Sequence, residues 1–592
     1  MATQRSRLLT ITCPPPQQVS SFDGAPVPVS WPDATTTGGR GWVRVTYTPP
    51  RGSLFPVGNW DVEARAESRD GQMTTCFFPV TVIADSVVPP PVIPDYGPDP
   101  TFVPPAGVSI FPNQNPHTIV AANPAGTFFI FKAGTHRLQD WGSAAITART
   151  NDRYYGEPGA IVSGAKVLTG WTFDGTNYFV TGQTSALPAI NTDCRVAAGS
   201  GVAAPFYPRC DNREDVFYDG VPLRHVASLA EMATGTFFFD YAADRIYIRD
   251  TPTGHTLETS VIVSAFGGSA TGVRMENLVL EKFANARQTA PFPTSASWTW
   301  YRDEVRHCHG IGVRIGATWL IQRCKLWKNG QMGFGGSGAG AIIEDSEIAW
   351  NNYAGYNDYW EAGGCKITHS DNVTIRRCWF HHNSGPGLWY DIDNTNATIH
   401  DNVVEYNFRM GIFYEISWGR NPITLAGAGT KIYNNTCRGN GMGLAGDGNP
   451  GKMFPFWVEG AGIAIVTSHG KGANGIEVYN NTCIDNWQQI VVIDDHRGGT
   501  SIYGIPYDSG DTNVHDNVVQ NTAHPGTGGG RSGIHDTSGT GILTSNVQFE
   551  ANDYTLPANG INYFFRVGSG EITDGAWLGF GYDTPDGSIT RV

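Results

Sequence analysis

Two heptapeptides 24 residues apart carry the residue types best suited to chemistry: "GLWYDID" from Gly387 and "GIFYEIS" from Gly411. Each places a carboxylate four residues after its glycine, Asp391 and Glu415. If both are strands, alternate side chains face opposite ways. Leu388, Tyr390 and Ile392 then match Ile412, Tyr414 and Ile416 on a core face. Trp389, Asp391 and Asp393 lie over Phe413, Glu415 and Ser417 on the outer face. Counting from Asn351 instead of Asn383 puts Asn357, Tyr359 and Glu361 beneath Trp389, Asp391 and Asp393. The expectation is an outward cleft lined by four carboxylates, Glu361, Asp391, Asp393 and Glu415.

Like charges that close repel, and a carboxylate cluster splits its pKa values into an acid and a base. Neighbouring rungs would hold Asp391 and Glu415 roughly 5 Å apart, near the separation of a retaining glycosidase. A diagonal pair, Asp393 with Glu415, would sit farther apart, toward the inverting range. This reading makes Glu415 the general acid, its pKa raised by apolar neighbours such as Phe413, and Asp391 the nucleophile or base. Asp393 and Glu361 would tune the pair or hold a cation. Trp389, Phe413, Tyr359 and Trp360 offer flat faces for sugar rings. Lys366 and His369, within "EAGGCKITHSDN", are further candidates for substrate contact. Lys366 could equally be an anion anchor, the base of a lyase or the partner of a nearby carboxylate. Glu361, Asp391 and Asp393 could hold Ca²⁺, which takes clustered oxygens; no cofactor is required. A solvated acidic face is the competing explanation. The histidines of "HCHG" (His307–Gly310) and "HHN" (His381–Asn383) lack Cys and Asp partners at zinc spacing.

The elements that must position these residues repeat. "IQRCKLWKN", "IEDSEIAWN", "IRRCWFHHN", "IHDNVVEYN", "IYNNTCRGN" and "VYNNTCIDN" end on Asn329, Asn351, Asn383, Asn407, Asn440 and Asn486. The gaps are 22, 32, 24, 33 and 46 residues, so the basic period is 22–24 and the long gaps hold insertions. Short alternating strands, glycine and a recurring asparagine predict a solenoid of the parallel β-helix type. Its asparagines would form one internal column, and the cysteines of "YNNTC", Cys437 and Cys483, would be buried free thiols.

Residues 106–592 resemble a large family of bacterial right-handed parallel β-helix repeat proteins. The likeness is carried by "AGTHR" (Ala133–Arg137), "GEPGAIVSGA" (Gly156–Ala165), "REDVFYDGVPLRHVASL" (Arg213–Leu229), "DRIYIRDTPTG" (Asp244–Gly254), "EKFAN" (Glu281–Asn285), "EAGGCK", "GPGLWYDIDN" and "GIFYEIS". It implies an all-β fold with first coils and cap in 106–290, main coils in 291–545 and a C-terminal cap in 546–592. Characterised proteins of this fold mostly cleave polysaccharides. The "NTDG" and "GHG" pattern of polygalacturonases is absent.

Residues 1–85 read as a small β-sandwich and resemble a hyalin-repeat (HYR) module, an immunoglobulin-like domain associated with adhesion or spacing. Cys13 and Cys76 near its ends are expected to pair, and Cys194 with Cys210 is a second candidate. Residues 86–105, "SVVPPPVIPDYGPDPTFVPP", read as a stiff proline-rich linker.

With 592 residues, 73 Gly, 12% aromatics and only 16% charged residues, the composition suits strands and turns. A net charge of -14 argues against nucleic acid, which needs basic stripes. No apolar run is long enough to span a membrane. "MATQRSRLLTITCPPP" shows no secretory signal, so an extracellular or virion location is expected by another route or after removal of a signal. Two functions compete. One is a carbohydrate-active enzyme cleaving a cell-surface or extracellular polysaccharide, a hydrolase before a lyase. The other is a non-catalytic glycan-binding or adhesive protein such as a phage-tail component, for which a homotrimer or virion assembly would be the setting.

Overall fold

The computed structural model describes residues 8–21, 27–29, 31–39, 43–50, 53–56, 58–84, 96–142, 145–184, 194, 207–441, 460–472, 475–521, 531–536, 546–556, 565–568, 570–584 and 586–591. The chain divides into two units, Met1–Ile93 and Pro94–Val592.

In the first unit a four-stranded sheet runs in the order Gln17–Ser21, Met73–Ala84, Gly58–Ser68, Val43–Thr48. Period-two alternation buries Val62, Ala64 and Ala66 while Arg65 and Glu67 face out. Two short antiparallel pairs complete the sandwich, Thr10–Thr12 with Thr35–Thr37 and Val27–Pro28 with Leu54–Phe55. Trp31 packs edge-on to Tyr47, Phe55 and Phe78 in its core. A disulfide joins Cys13 to Cys76.

The second unit is a parallel β-helix of three sheets, two of 13 strands and one of 10. Parallel strands joined by crossovers in one sheet wind to the right. Most rungs are only three to five residues long, and each sends its apolar residues inward. In the first sheet Ile321, Ile343, Ile375, Ile399, Ile432, Val478 and Val514 stack in register. In the second, Leu326, Ile348, Phe380, Val404, Cys437, Cys483 and Val519 do so. Both columns are buried, and Cys437 and Cys483 are free thiols.

At two corners of the coil the chain turns on a left-handed residue that, in many rungs, is followed by an asparagine that turns inward. Asp401, Asn434, Asn480 and Asp516 take φ of 52–56° at one corner, ahead of Asn402, Asn435, Asn481 and Asn517. At the next, Asn329, Asn351, Asn383, Asn407, Asn440 and Asn486 form one buried column. Asn383 Nδ2 donates to Asn407 Oδ1 at 2.9 Å, and Asn407 Nδ2 to Asn440 Oδ1 at 3.0 Å. The glycine that opens each heptapeptide makes room for this column. A Cβ on Gly387 would lie 2.7 Å from Asn407 Nδ2, and one on Gly411 2.8 Å from Asn440 Nδ2.

Two parts of the chain differ from the sequence reading. Residues 96–102, read as linker, are held by the solenoid. Gly97 N donates to Arg323 O at 2.8 Å, and the Phe102 ring stacks on Tyr155. The first coils, expected to run through 106–290, are interrupted between Ala160–Ser163 and Arg274–Glu276. An inserted pair of mainly antiparallel sheets fills the gap, with Leu168, Val180, Phe237 and Ile248 in its own core. Cys194 and Cys210 of this insertion are disulfide-bonded.

Candidate active site

The two heptapeptides are adjacent rungs of the third sheet. Leu388–Asp391 pairs with Ile412–Glu415, and Asp391 stands directly opposite Glu415. Leu388, Tyr390, Ile412 and Tyr414 fill the core, while Trp389, Asp391, Phe413 and Glu415 project from the outer face. The rung beneath is Gly363–Ile367, in which Ile367 pairs with Tyr390. Lys366 therefore stands level with Trp389.

This register corrects two placements. Asn357, Tyr359 and Glu361 do not underlie Trp389, Asp391 and Asp393, because the 32-residue gap inserts its extra residues between Asn351 and the strand. Glu361 reaches the site from that inserted loop. Ser417 does not lie outside beneath Asp393. It turns inward, where its hydroxyl accepts from Asn394 N and its amide donates to Ser468 Oγ. Positive φ at Ile392, Asp393 and Ile416 breaks the two-residue alternation there.

The charges interlock. Lys366 Nζ lies 2.8 Å from Asp391 Oδ2, 3.4 Å from Glu361 Oε1 and 4.1 Å from the centre of the Trp389 ring, and it donates to Trp360 O at 2.5 Å. Trp389 Nε1 donates to Glu415 Oε2 at 3.0 Å, and Arg497 pairs with Glu415 Oε1. Asp391 Oδ1 is buried and has no hydrogen-bond partner. In direct contact, four carboxylates, Asp495 at 3.3 Å from Arg497 Nε included, meet two cations, so protonation of a carboxyl is favoured. Glu415 is the one driven to it: burial, then the Asp391 charge, push its pKa up to about 7 against the opposing pull of Arg497 and Lys366. Burial also raises the Glu361 carboxyl, with Lys366 opposing.

The site is not an open acidic cleft. Asp391 is 5% exposed, Asp393 2% and Glu415 1%. Trp389 and Phe413 are buried as well, stacked on each other at 5.2 Å and packed with Met410, Ala464 and Val466. They hold the carboxylates in an apolar setting and present no free face for sugar. Tyr359 is buried under the Arg409 guanidinium; Trp360, 44% exposed, is the open ring at the rim.

Asp393 belongs to a neighbouring cluster. Its carboxylate accepts from Trp418 Nε1 at 3.3 Å, Ile502 N at 2.9 Å and Tyr507 Oη at 3.2 Å, with His369 Nδ1 3.7 Å away. A Ca²⁺ bound jointly by Glu361, Asp391 and Asp393 does not fit this arrangement. The Lys366 ammonium lies between the first two, and Asp393 is engaged elsewhere. Among the described residues only Cys194, Cys210 and Asp211 bring three ligand atoms together, and those cysteines are bonded to each other. His309 of "HCHG" lies against Asp215 at 3.0 Å and Cys210 O at 2.7 Å.

Arg497 and Tyr507 are the contributors that the sequence pattern did not single out. Both follow the strand Gln488–Asp494, two rungs above Glu415 in the same sheet. Extending the column through Val466 and Ile493 leads to "DDHRGG" and would have found the arginine.

Residues 294–466 match the family model described as "Right handed beta helix region". No curated protein matches the sequence. Among solved structures, the mannuronan C-5 epimerase AlgE6 A-module of Azotobacter vinelandii is similar at 11% identity and a TM-score of 0.39, over 80% of this chain and 92% of that one. A polygalacturonase from Erwinia carotovora ssp. carotovora is similar at 9% identity and a TM-score of 0.30, over 84% of this chain and 100% of that one. The tailspike protein of E. coli bacteriophage HK620, as a double mutant in complex with pentasaccharide, is similar at 11% and 0.30, over 79% of this chain and 57% of that one. Among the described residues no helix is long and apolar enough to cross a membrane.

Proposed function

We propose that this chain is a glycoside hydrolase in which Glu415 is the general acid and Asp391 the nucleophile. One observation carries the reading: a carboxyl held protonated to about pH 7 stands one rung from an ion-paired carboxylate with an unpartnered oxygen. That is the division of labour that glycosidic cleavage requires. The Glu415 proton goes to the leaving oxygen as its bond to the anomeric carbon breaks. Once the loop carrying Arg497 moves aside to open the buried pair, Asp391 Oδ1 bonds to that carbon, and water, deprotonated by Glu415, then releases the sugar. A rung spacing of about 4.8 Å favours this retaining course over an inverting one. Lys366 positions Asp391, and the chemistry calls for no metal.

The test is a depolymerisation screen across neutral and acidic glycans, with wild type beside Asp391→Asn and Glu415→Gln. Cleavage with retained anomeric configuration, lost in both variants, supports the reading. Full activity in both variants places the chemistry elsewhere. The burial of Asp391 and Glu415 favours a second reading, a non-catalytic glycan-binding protein of a virion or cell surface. Glycan binding by wild type without cleavage, retained in both variants because the buried pair does not touch the glycan, would establish it.

A further inference from the structure

The inserted antiparallel sheets hold a cavity of about 140 Å³ against the solenoid at Ala284. Its polar lining is unsatisfied. Thr259 Oγ1, Ser260 Oγ and Gln183 Oε1 are buried without hydrogen-bond partners, and the three residues are 3%, 0% and 8% exposed. The Gln183 amide is fixed in orientation, because its Nε2 donates to Thr181 O at 2.8 Å. Lys166 and Arg213 also line the cavity, and neither has an ion-pair partner among the described residues. Glu214, the one carboxylate present, accepts from Tyr241 Oη at 2.8 Å. The lining also includes apolar side chains, among them Phe239 and Val261.

Buried polar atoms are ordinarily satisfied, and each orphan costs roughly 1–3 kcal/mol. Three of them beside two unpaired cations describe a site whose partner is a ligand. We propose that the cavity binds one sugar-acid residue, a ring bearing a carboxylate and several hydroxyls. The carboxylate answers Lys166 and Arg213. A ligand hydroxyl supplies the donor that Gln183 Oε1 lacks, which a bare anion cannot do, and others meet Thr259 and Ser260. The C–H face of the ring packs on the apolar side chains. The volume is below the roughly 300 Å³ at which drug-sized pockets begin, so the occupant is one ring and not a chain segment. Burial holds the Lys166 ammonium below its usual range, and a bound carboxylate would restore it. This site is independent of Asp391 and Glu415.

Calorimetric titration of the full chain with glucuronate, galacturonate, glucose and sulfate tests the proposal. Saturable binding of one or both uronates is expected, with glucose and sulfate weaker. Losing a charged contact should weaken binding about tenfold or more in Lys166→Met, and losing a neutral one about threefold in Ser260→Ala. The thermal midpoint of each variant checks its fold; Arg213→Gln replaces Lys166→Met if that variant does not fold. A uronate-ended oligosaccharide that competes more strongly than the monosaccharide identifies a chain end as the source, and the reverse order identifies a free sugar acid. The proposal is overturned if no uronate binds, if sulfate binds as tightly as uronate, or if folded variants bind like wild type.

Discussion

The asparagine column and the carboxylate column are built on the same rung spacing and fare differently. A carboxamide donates and accepts, so Asn351, Asn383, Asn407 and Asn440 satisfy one another from rung to rung. An ionised carboxylate only accepts. Asp391 beneath Glu415 therefore needs imported donors, which come from Lys366 one rung below, Trp389 in the strand and Arg497 two rungs above. At an effective dielectric near 20, two charges one rung apart repel by about 3–4 kcal/mol. The amide column stiffens the coil using residues of its own kind. The acid column persists through neighbours, and one of its members moves its pKa to where a proton can be exchanged at neutral pH.

The contrast can be broken at several points. The largest effect on stability is expected from Lys366→Met, which leaves Asp391 and Glu361 without their shared cation. It should cost about 3–5 kcal/mol in denaturant unfolding of the solenoid, since a lone buried charge is much worse than a pair. Asp391→Asn and Glu415→Gln should each lower turnover about 10²-fold or more, roughly 2.7 kcal/mol of barrier, while leaving the chain folded. Asn383→Ala orphans the backbone N–H and one side-chain N–H of Asn351, whose other N–H still reaches Leu326 O, and should cost about 2 kcal/mol with no titration signature. A further test sharpens the contrast through pH. Glu415 has a folded pKa of about 7, above the ordinary carboxylate value of about 4.3. Between those values the folded chain holds more protons than the unfolded one, so this contribution is fully present below about pH 4.3 and is lost as pH rises through 7. Glu415→Gln should flatten that part of the stability–pH curve.

Much of this was legible in the sequence because both columns are local and periodic. The closing asparagines gave the inner column, and the paired heptapeptides gave Asp391 opposite Glu415. The insertions hid the rest. The nine-residue excursion after Asn351 shifted Glu361 out of the counted register and brought Lys366 under Trp389 instead. Left-handed residues at Ile392 and Asp393 ended the alternation, so Asp393 and Ser417 left the face assigned to them. Burial of the acid pair could not be counted from a period, because it depends on loops such as the one carrying Arg497. The inserted sheets at 165–260 follow neither the period nor the asparagine signature and were absorbed into the first coils.

The titration of Glu415 itself is the most direct test, and it needs no substrate. Infrared difference spectra of wild type against Glu415→Gln, taken across pH, isolate its protonated carboxyl band. Half-titration near pH 7 is expected, moving lower in Asp391→Asn because the neighbouring charge that raises it is gone. A Glu415 that titrates near 4.3, with or without Asp391, would contradict the assignment of Glu415 as the acid.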